Sequence, residues 1–285
     1  MVTPVLIVGC GDLGGAVAGL LNQQGFAVTG VRRSRAPLAT GVKLVQADIT
    51  DAASLQQLTT VKPKILLYCV AADAQTDESY KAHYVEGLRN VLAVLKPCKS
   101  LRHVFFVSST RVYGRQTHDW LDEDSPAQPS DFGGQRLQDA ESLLNTFDIP
   151  HTILRLSGIY GPGRTRLLQL ARTPQAWPSN NSWTNRIHRD DAAAFIARCV
   201  TKADMGEGLA TLYLVTDSDP VPQHEVLRWL AAKQGVDMTA VPIPAVAGGK
   251  RLSNRRMLDS GFSLRYPNYQ TGYEHLLASE NPFRR

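Results

Sequence analysis

The chain contains no run of apolar residues long enough to cross a bilayer, for which a helix needs about 20. Its first residues lead straight into a strand pattern, without the basic start, apolar stretch and small-residue cleavage site of a signal peptide. A cytoplasmic location and no membrane partner are the expectations. Cysteine is scarce: the four residues Cys10, Cys69, Cys98 and Cys199 form no CxxC pair. That spacing speaks against a disulfide framework and a zinc module, so no metal is expected. Cys69 and Cys199 lie in apolar surroundings and read as buried thiols. Repeats and low-complexity tracts are absent, and so is any nucleic-acid-binding module. The net charge of +5 is spread along the chain, apart from short basic groups at residues 32–35, at 251–256 and at the C-terminus. A small anionic ligand and a solvated surface account for it, and no nucleic-acid partner is expected.

What is present is an ordinary globular composition, 43% hydrophobic and 20% charged over 285 residues, enough for a large core. Over the first ~160 residues strand and helix signals alternate. Pro4–Val8 reads as a short buried strand, followed by glycines and a helix from Leu13 to about Gln24. Further strands are expected at Phe26–Val31, Lys43–Gln46, Ile65–Val70, Val104–Val107 and His151–Leu154, with helices at Glu78–Leu95 and Asp131–Phe147. This alternation predicts an α/β fold, a Rossmann-type doubly wound parallel sheet with right-handed crossovers. Beyond Gly161 the pattern loosens around Pro174, Trp177, Pro178 and Trp183. A helix at Asp190–Val200, a strand at Thr211–Val215, a helix at Pro222–Gln234 and a basic, loop-rich tail follow. The expected division is a dinucleotide-binding domain over residues 1–160. A small substrate-side lobe over 161–285 completes it, with part of its chain returning to the sheet.

The glycines carry the chemistry. Gly9-Cys10-Gly11-Asp12-Leu13-Gly14 is a GxGxxG pattern placed after an apolar strand and opening a helix, the context that gives it meaning. Gly9 would make the tight turn, Gly11 would admit a pyrophosphate to the backbone, and Gly14 would let the helix pack against the strand. Free N–H groups at the helix start would face the phosphates. The second strand ends in Arg32-Arg33, with no Asp or Glu to hold ribose hydroxyls. Two guanidinium groups suit a 2′-phosphate, so NADP(H) is favoured over NAD(H). Asp48, after the third strand, is a candidate acceptor for the adenine amino group. The candidate cofactor contacts extend to Ile49, Val70, Ala71, Ala72, Arg136 and Leu156.

Phe106-Val107-Ser108-Ser109-Thr110-Arg111-Val112-Tyr113-Gly114, Arg155-Leu156-Ser157-Gly158-Ile159-Tyr160-Gly161-Pro162-Gly163-Arg164 and Ile187-His188-Arg189-Asp190-Asp191 carry a resemblance. The chain resembles the short-chain dehydrogenase/reductase superfamily in its extended or atypical branch, the NAD-dependent epimerase/dehydratase family. The likeness implies a Ser or Thr that hydrogen-bonds the substrate oxygen, a Tyr that exchanges a proton with it, and a Lys that tunes the Tyr. Ser109 matches the first. The Tyr-x-x-x-Lys motif is missing: Phe132-Gly133-Gly134-Gln135-Arg136 stands in its place. Aligned by the cation, Phe132 replaces Tyr and Arg136 replaces Lys. Aligned by the later Glu141, Gly133 falls at the Tyr position. Arg136 stays charged and cannot act as a tunable amine. Tyr113 is a candidate substitute, with a structural role as the alternative reading. Asp73, Asp77 and Glu78 follow the fourth strand, on the side where ligands bind such folds.

Two functions stay open. One is an oxidoreductase or epimerase/dehydratase acting on a small polar substrate, with a sugar nucleotide as the family's commonest guess. The other is a catalytically silent NADP(H)-binding sensor or interaction protein. The long helices at 78–95 and 131–147 are candidates for a homodimer contact.

Overall fold

Each short apolar run becomes a strand. In the computed structural model, which describes residues 2–114, 119–238 and 241–279, β1 (Pro4–Val8) leads into α1 (Asp12–Gln23), β2 (Ala27–Arg32) and β3 (Lys43–Gln46). A 3₁₀ turn at Ser54–Thr60, rather than a full helix, connects β3 to β4 (Ile65–Tyr68). The expected helix at 78–95 divides into α2 (Asp77–Tyr80), a π-helical turn at Lys81–Glu86 and α3 (Gly87–Leu95). The buried Tyr68 hydroxyl donates to the His83 carbonyl inside that turn, the kind of intrusion that widens a helical ladder. β5 (His103–Ser109), β6 (Trp120–Leu121), α4 (Phe132–Leu144) and β7 (His151–Leu156) follow.

The later chain forms β8 (Gly158–Tyr160), α5 (Arg166–Ala171), β9 (Asn181–Thr184), β10 (Arg186–His188), α6 (Arg189–Met205) and β11 (Leu212–Val215). Beyond them lie β12 (Val221–Pro222), α7 (Gln223–Lys233), β13 (Val246–Gly249), β14 (Arg251–Leu252), α8 (Arg255–Asp259) and α9 (Tyr269–Ser279). Seven strands make one parallel sheet in the order β11-β7-β5-β4-β1-β2-β3. β1 lies inside it, and Val5, Leu6, Ile7 and Val8 are wholly buried, as a strand covered on both faces requires. The strand order reverses beside β1, and the carboxyl ends of the strands at such a switch point form a natural ligand crevice.

The chain clusters into two compact units that interleave along the sequence. The first comprises Met1–Gly114, Ala127–Arg155 and Ala192–Tyr213; the second comprises Arg115–Pro126, Leu156–Asp191 and Leu214–Arg285. The second unit has its own core, in which Tyr160, Leu168, Trp177, Leu227 and Tyr273 meet. It also corrects the expectation of a loop-rich tail. Tyr269, Gly272, Tyr273 and Leu276 recur at helical spacing and are buried along α9. The basic group at the C-terminus lies outside the described residues. None of the four cysteines is in a disulfide, and no helix among the described residues is long and apolar enough to cross a membrane.

Candidate functional site

The glycine loop leaves the carboxyl end of β1. Gly9 has φ +91°, open to glycine at little cost, and a Cβ there would come within 3.0 Å of the Cys69 carbonyl. A Cβ on Gly14 would collide in the same way with the Gly9 carbonyl. At Gly11 a Cβ would meet nothing within 4 Å. Two glycines therefore bring backbone against backbone, and the third leaves an open hollow at the helix start. The Gly9 and Cys10 amides both donate to the Val31 carbonyl, at 3.1 and 3.0 Å, which ties the loop to β2. The Cys10 side chain points inward, against Gly30, and burial pushes its thiol up to about 11. Asp12 is exposed and opens α1, and Leu13 is buried beneath it. Gly11, the N-cap, offers α1 no side-chain acceptor, so the first turn keeps donors for an anion. These features fit a pyrophosphate.

The other expected contacts stand at neighbouring strand ends. Arg32 ends β2 half-buried, and Arg33 beyond it makes a two-pronged ion pair with Asp73. Asp48 accepts from the Thr50 amide and hydroxyl, at 2.9 and 2.7 Å, bonds that hold its carboxyl below the usual range. Ile49 is buried beneath Gly87, where a Cβ would meet Ile49 Cδ1 at 2.6 Å. Val70, Ala71 and Ala72 follow β4 and keep partial exposure. Leu156 ends β7, buried, and clusters with the second unit.

The residues expected to do chemistry are otherwise engaged. The Ser109 hydroxyl accepts from the Arg111 amide at 3.2 Å and caps a 3₁₀ turn. Tyr113 is wholly buried. Its hydroxyl accepts from Arg155 Nη1 at 2.8 Å, and the guanidinium stands 4.9 Å from its ring. Arg155 in turn grips Glu141, with Nε to Oε1 at 3.0 Å and Nη2 to Oε2 at 2.6 Å, while Ser108 donates to Glu141 Oε1 at 2.6 Å. Tyr113 is thus a member of a packed network. Arg136 pairs with Asp77 through two nitrogens, at 2.7 and 2.9 Å, and with Asp139 at 3.0 Å.

Arg111 went unnoticed in the sequence. Its guanidinium donates to Asp131 at 2.9 Å, to Gln75 at 3.0 Å and to the Tyr80 hydroxyl at 2.9 Å. It lies 5.1 Å from the Tyr80 and Phe132 ring centroids. A Cβ on Gly133 would fall within 3.0 Å of that guanidinium, so Arg111 fills the space a side chain at 133 would enter.

The second unit holds a cavity of about 660 Å³ whose lining includes Tyr160, Arg164, Arg166, Asn185, Arg186 and Gln223, and no carboxylate. Arg186 is 4% exposed. Its Nη2 donates to Thr184 Oγ1, its guanidinium lies 5.5 Å from the Tyr269 ring, and its Nη1 has no partner among the described residues. Tyr273, also on the lining, has a buried hydroxyl without a partner among the described residues. Orphaned donors of this kind are costly and suit a ligand oxygen. Asp217 lies buried nearby, and burial pushes its carboxyl up to about 8. His188 is buried; its Nδ1 accepts the Asp190 amide at 3.2 Å, which orders the start of α6. Trp177 is a core residue, its Nε1 donating to the Leu170 carbonyl at 2.9 Å.

The sequence profile of the NAD dependent epimerase/dehydratase family matches residues 5–210. The chain belongs to that family. A NAD(P) dinucleotide is its expected cofactor. UDP-glucuronate 4-epimerase 3 of Arabidopsis thaliana is 29% identical over 162 residues, covering 52% of this chain and 38% of that protein. The match thus spans well under half of that relative's length. A solved structure from Methylobacillus flagellatus, provisionally assigned as an NAD-dependent epimerase/dehydratase, is 49% identical, with 98% and 99% of the two chains covered and a TM-score of 0.89. The Bordetella bronchiseptica enzyme WbmG, solved with NAD and UDP, shares the fold at 20% identity, with a TM-score of 0.78 over 98% of this chain and 94% of that one.

Proposed function

We propose that the chain binds NADP(H) on its first unit and acts as an oxidoreductase or epimerase/dehydratase on a small, polar, anionic substrate of the sugar-nucleotide class. The observation that carries the reading is the open space at Gly11, flanked by Gly9 and Gly14 where no Cβ fits. The preference for NADP(H) rests on Arg32 and Arg33 at the end of β2, where the sequence carries no Asp or Glu. A guanidinium matches the oxygens of a phosphate and offers nothing special to a neutral ribose hydroxyl. A bound nicotinamide would supply hydride transfer. The anionic substrate class is supported by the carboxylate-free cavity around Arg186 and by the UDP-sugar named for the Arabidopsis relative.

A second reading, a binding protein without turnover, is favoured by one specific observation. Phe132, Tyr113 and Arg136 offer no accessible proton donor: the first has none to give, Tyr113 is wholly buried, and the Arg136 guanidinium is held by Asp77 and Asp139.

Titration with NADPH and NADH, followed by nicotinamide fluorescence, tests the cofactor. NADPH should bind more tightly, and replacing Arg32 and Arg33 together should weaken NADPH by about tenfold or more, with little change for NADH. Equal losses would remove the arginines from the reading. A screen of sugar nucleotides against the NADP⁺-loaded chain then separates the two functions: reduction of bound nicotinamide or chemical conversion of the sugar nucleotide marks an enzyme, and saturable binding with neither marks a sensor.

A further inference from the structure

The ion pair between Arg33 and Asp73 has an uncommon position. In the sheet β1 lies between β4 and β2. Arg33 follows β2, and Asp73 lies in the segment after β4. Their contact therefore straddles the strand end from which the glycine loop departs. Both side chains are about half exposed, at 55% and 47%, and an exposed pair is weakly held. Asp73 has a second partner: its Oδ2 lies 3.1 Å from His83 Nε2. His83 is buried and anchored through Nδ1, 2.8 Å from the Ser79 carbonyl. Asp48, at the end of β3, is the other carboxylate acting on Arg33.

We propose that Asp73 is a specificity-determining residue of the dinucleotide site, holding the Arg33 guanidinium and yielding it to a 2′-phosphate while the carboxylate stays half exposed to water beside His83. This inference rests on the NADP(H) reading above. A phosphate offers Arg33 oxygens of higher charge than a carboxylate does, in the same forked geometry. The exchange leaves no charge stranded, because the half-exposed Asp73 carboxylate is solvated by water and stays near His83 Nε2. A ribose hydroxyl is neutral and cannot displace the carboxylate, so the pair opposes ligands that need Arg33 and ignores those that do not. Asp73 therefore reduces affinity for the phosphorylated dinucleotide alone, as any competing conformation of a binding group must.

The adenosine half of the ligand isolates the effect from any turnover. Calorimetric titration with 2′,5′-ADP and 5′-AMP would be run on the wild type, Asp73→Asn, Arg33→Met, the double variant and Asp77→Asn. Asp77 is the partner of Arg136, so its variant removes an equal charge elsewhere. Asp73→Asn should tighten 2′,5′-ADP by about three- to tenfold and leave 5′-AMP within about twofold. Arg33→Met should erase the gain, and Asp77→Asn should produce a smaller one. Tightening of both ligands alike, or an equal gain in Asp77→Asn, would reduce the effect to general charge and overturn the proposal. If Asp73→Asn weakens or does not alter 2′,5′-ADP binding while the wild type stays selective and Arg33→Met does not, the role of Asp73 falls and the NADP(H) reading stands. A wild type that does not prefer 2′,5′-ADP overturns both.

Discussion

A methyl group added at Gly11 would point into open space, whereas one added at Gly14 would strike the Gly9 carbonyl. Two neighbouring substitutions should therefore part company. Gly11→Ala should leave the thermal midpoint nearly unchanged, a cost within about 0.5 kcal/mol, yet weaken NADPH by about tenfold or more. Gly14→Ala should lower stability itself, by about 1–3 kcal/mol of overpacking, before any ligand is added. Melting curves and titration on the same preparations read both, and undiminished NADPH binding by Gly11→Ala would remove the loop from the site. The loop was legible because each glycine answers a local geometric need within a few residues. The partner of Arg33 was not, because Asp73 lies 40 positions away and only the strand order brings the two together. Arg111 escaped for a related reason: its acceptors Gln75, Tyr80 and Asp131 come from two other segments.

At the scale of elements, α4, β5 and β7 are joined by one buried knot. Glu141 on α4 is 5% exposed, Arg155 on β7 is 7% exposed and Ser108 on β5 is 4% exposed. All of them converge on the Glu141 carboxylate. Glu141→Gln keeps the shape but leaves the Arg155 charge uncompensated. The expected loss is about 3–5 kcal/mol, read as a fall in the urea midpoint; a shift under about 1 kcal/mol would mean that water reaches Arg155. Strands such as β1, β4 and β5 were readable from their apolar runs, since burial on both faces leaves little choice of residue. The π turn at Lys81–Glu86 was not, because it accompanies a contact from Tyr68 outside the helix. α9 was hidden by the charged and polar residues that share its length with Tyr269, Tyr273 and Leu276.

For the molecule as a whole, the pH dependence of stability near neutrality follows from the half-buried His103 and the buried His188 and Asp217. Burial lowers His103 and His188 to about 4 and raises Asp217 to about 8. Below pH 6.5 the unfolded chain takes up protons that the two folded histidines refuse, so stability falls toward acid. Asp217 works the other way: the folded chain keeps a proton that the unfolded chain releases above about pH 4. That contribution is lost as pH rises to 8. From pH 6.5 to about 7.5 the unfolded histidines lose their remaining protons, and Asp217 increasingly dominates, with a decline of at most about 1.4 kcal/mol per pH unit. Stability should peak near pH 6.5, and Asp217→Asn should flatten the alkaline limb in denaturant titrations between pH 6.5 and 8. An unchanged limb would mean that Arg186 already holds Asp217 ionised in the fold.

The packing of Arg111 over Gly133 decides what position 133 can accept. A tyrosine placed there would have to push aside the Arg111 guanidinium, the far end of a flexible side chain, and so break its contacts with Asp131, Gln75 and Tyr80. A proton donor at 133 and the Arg111 brace therefore exclude one another.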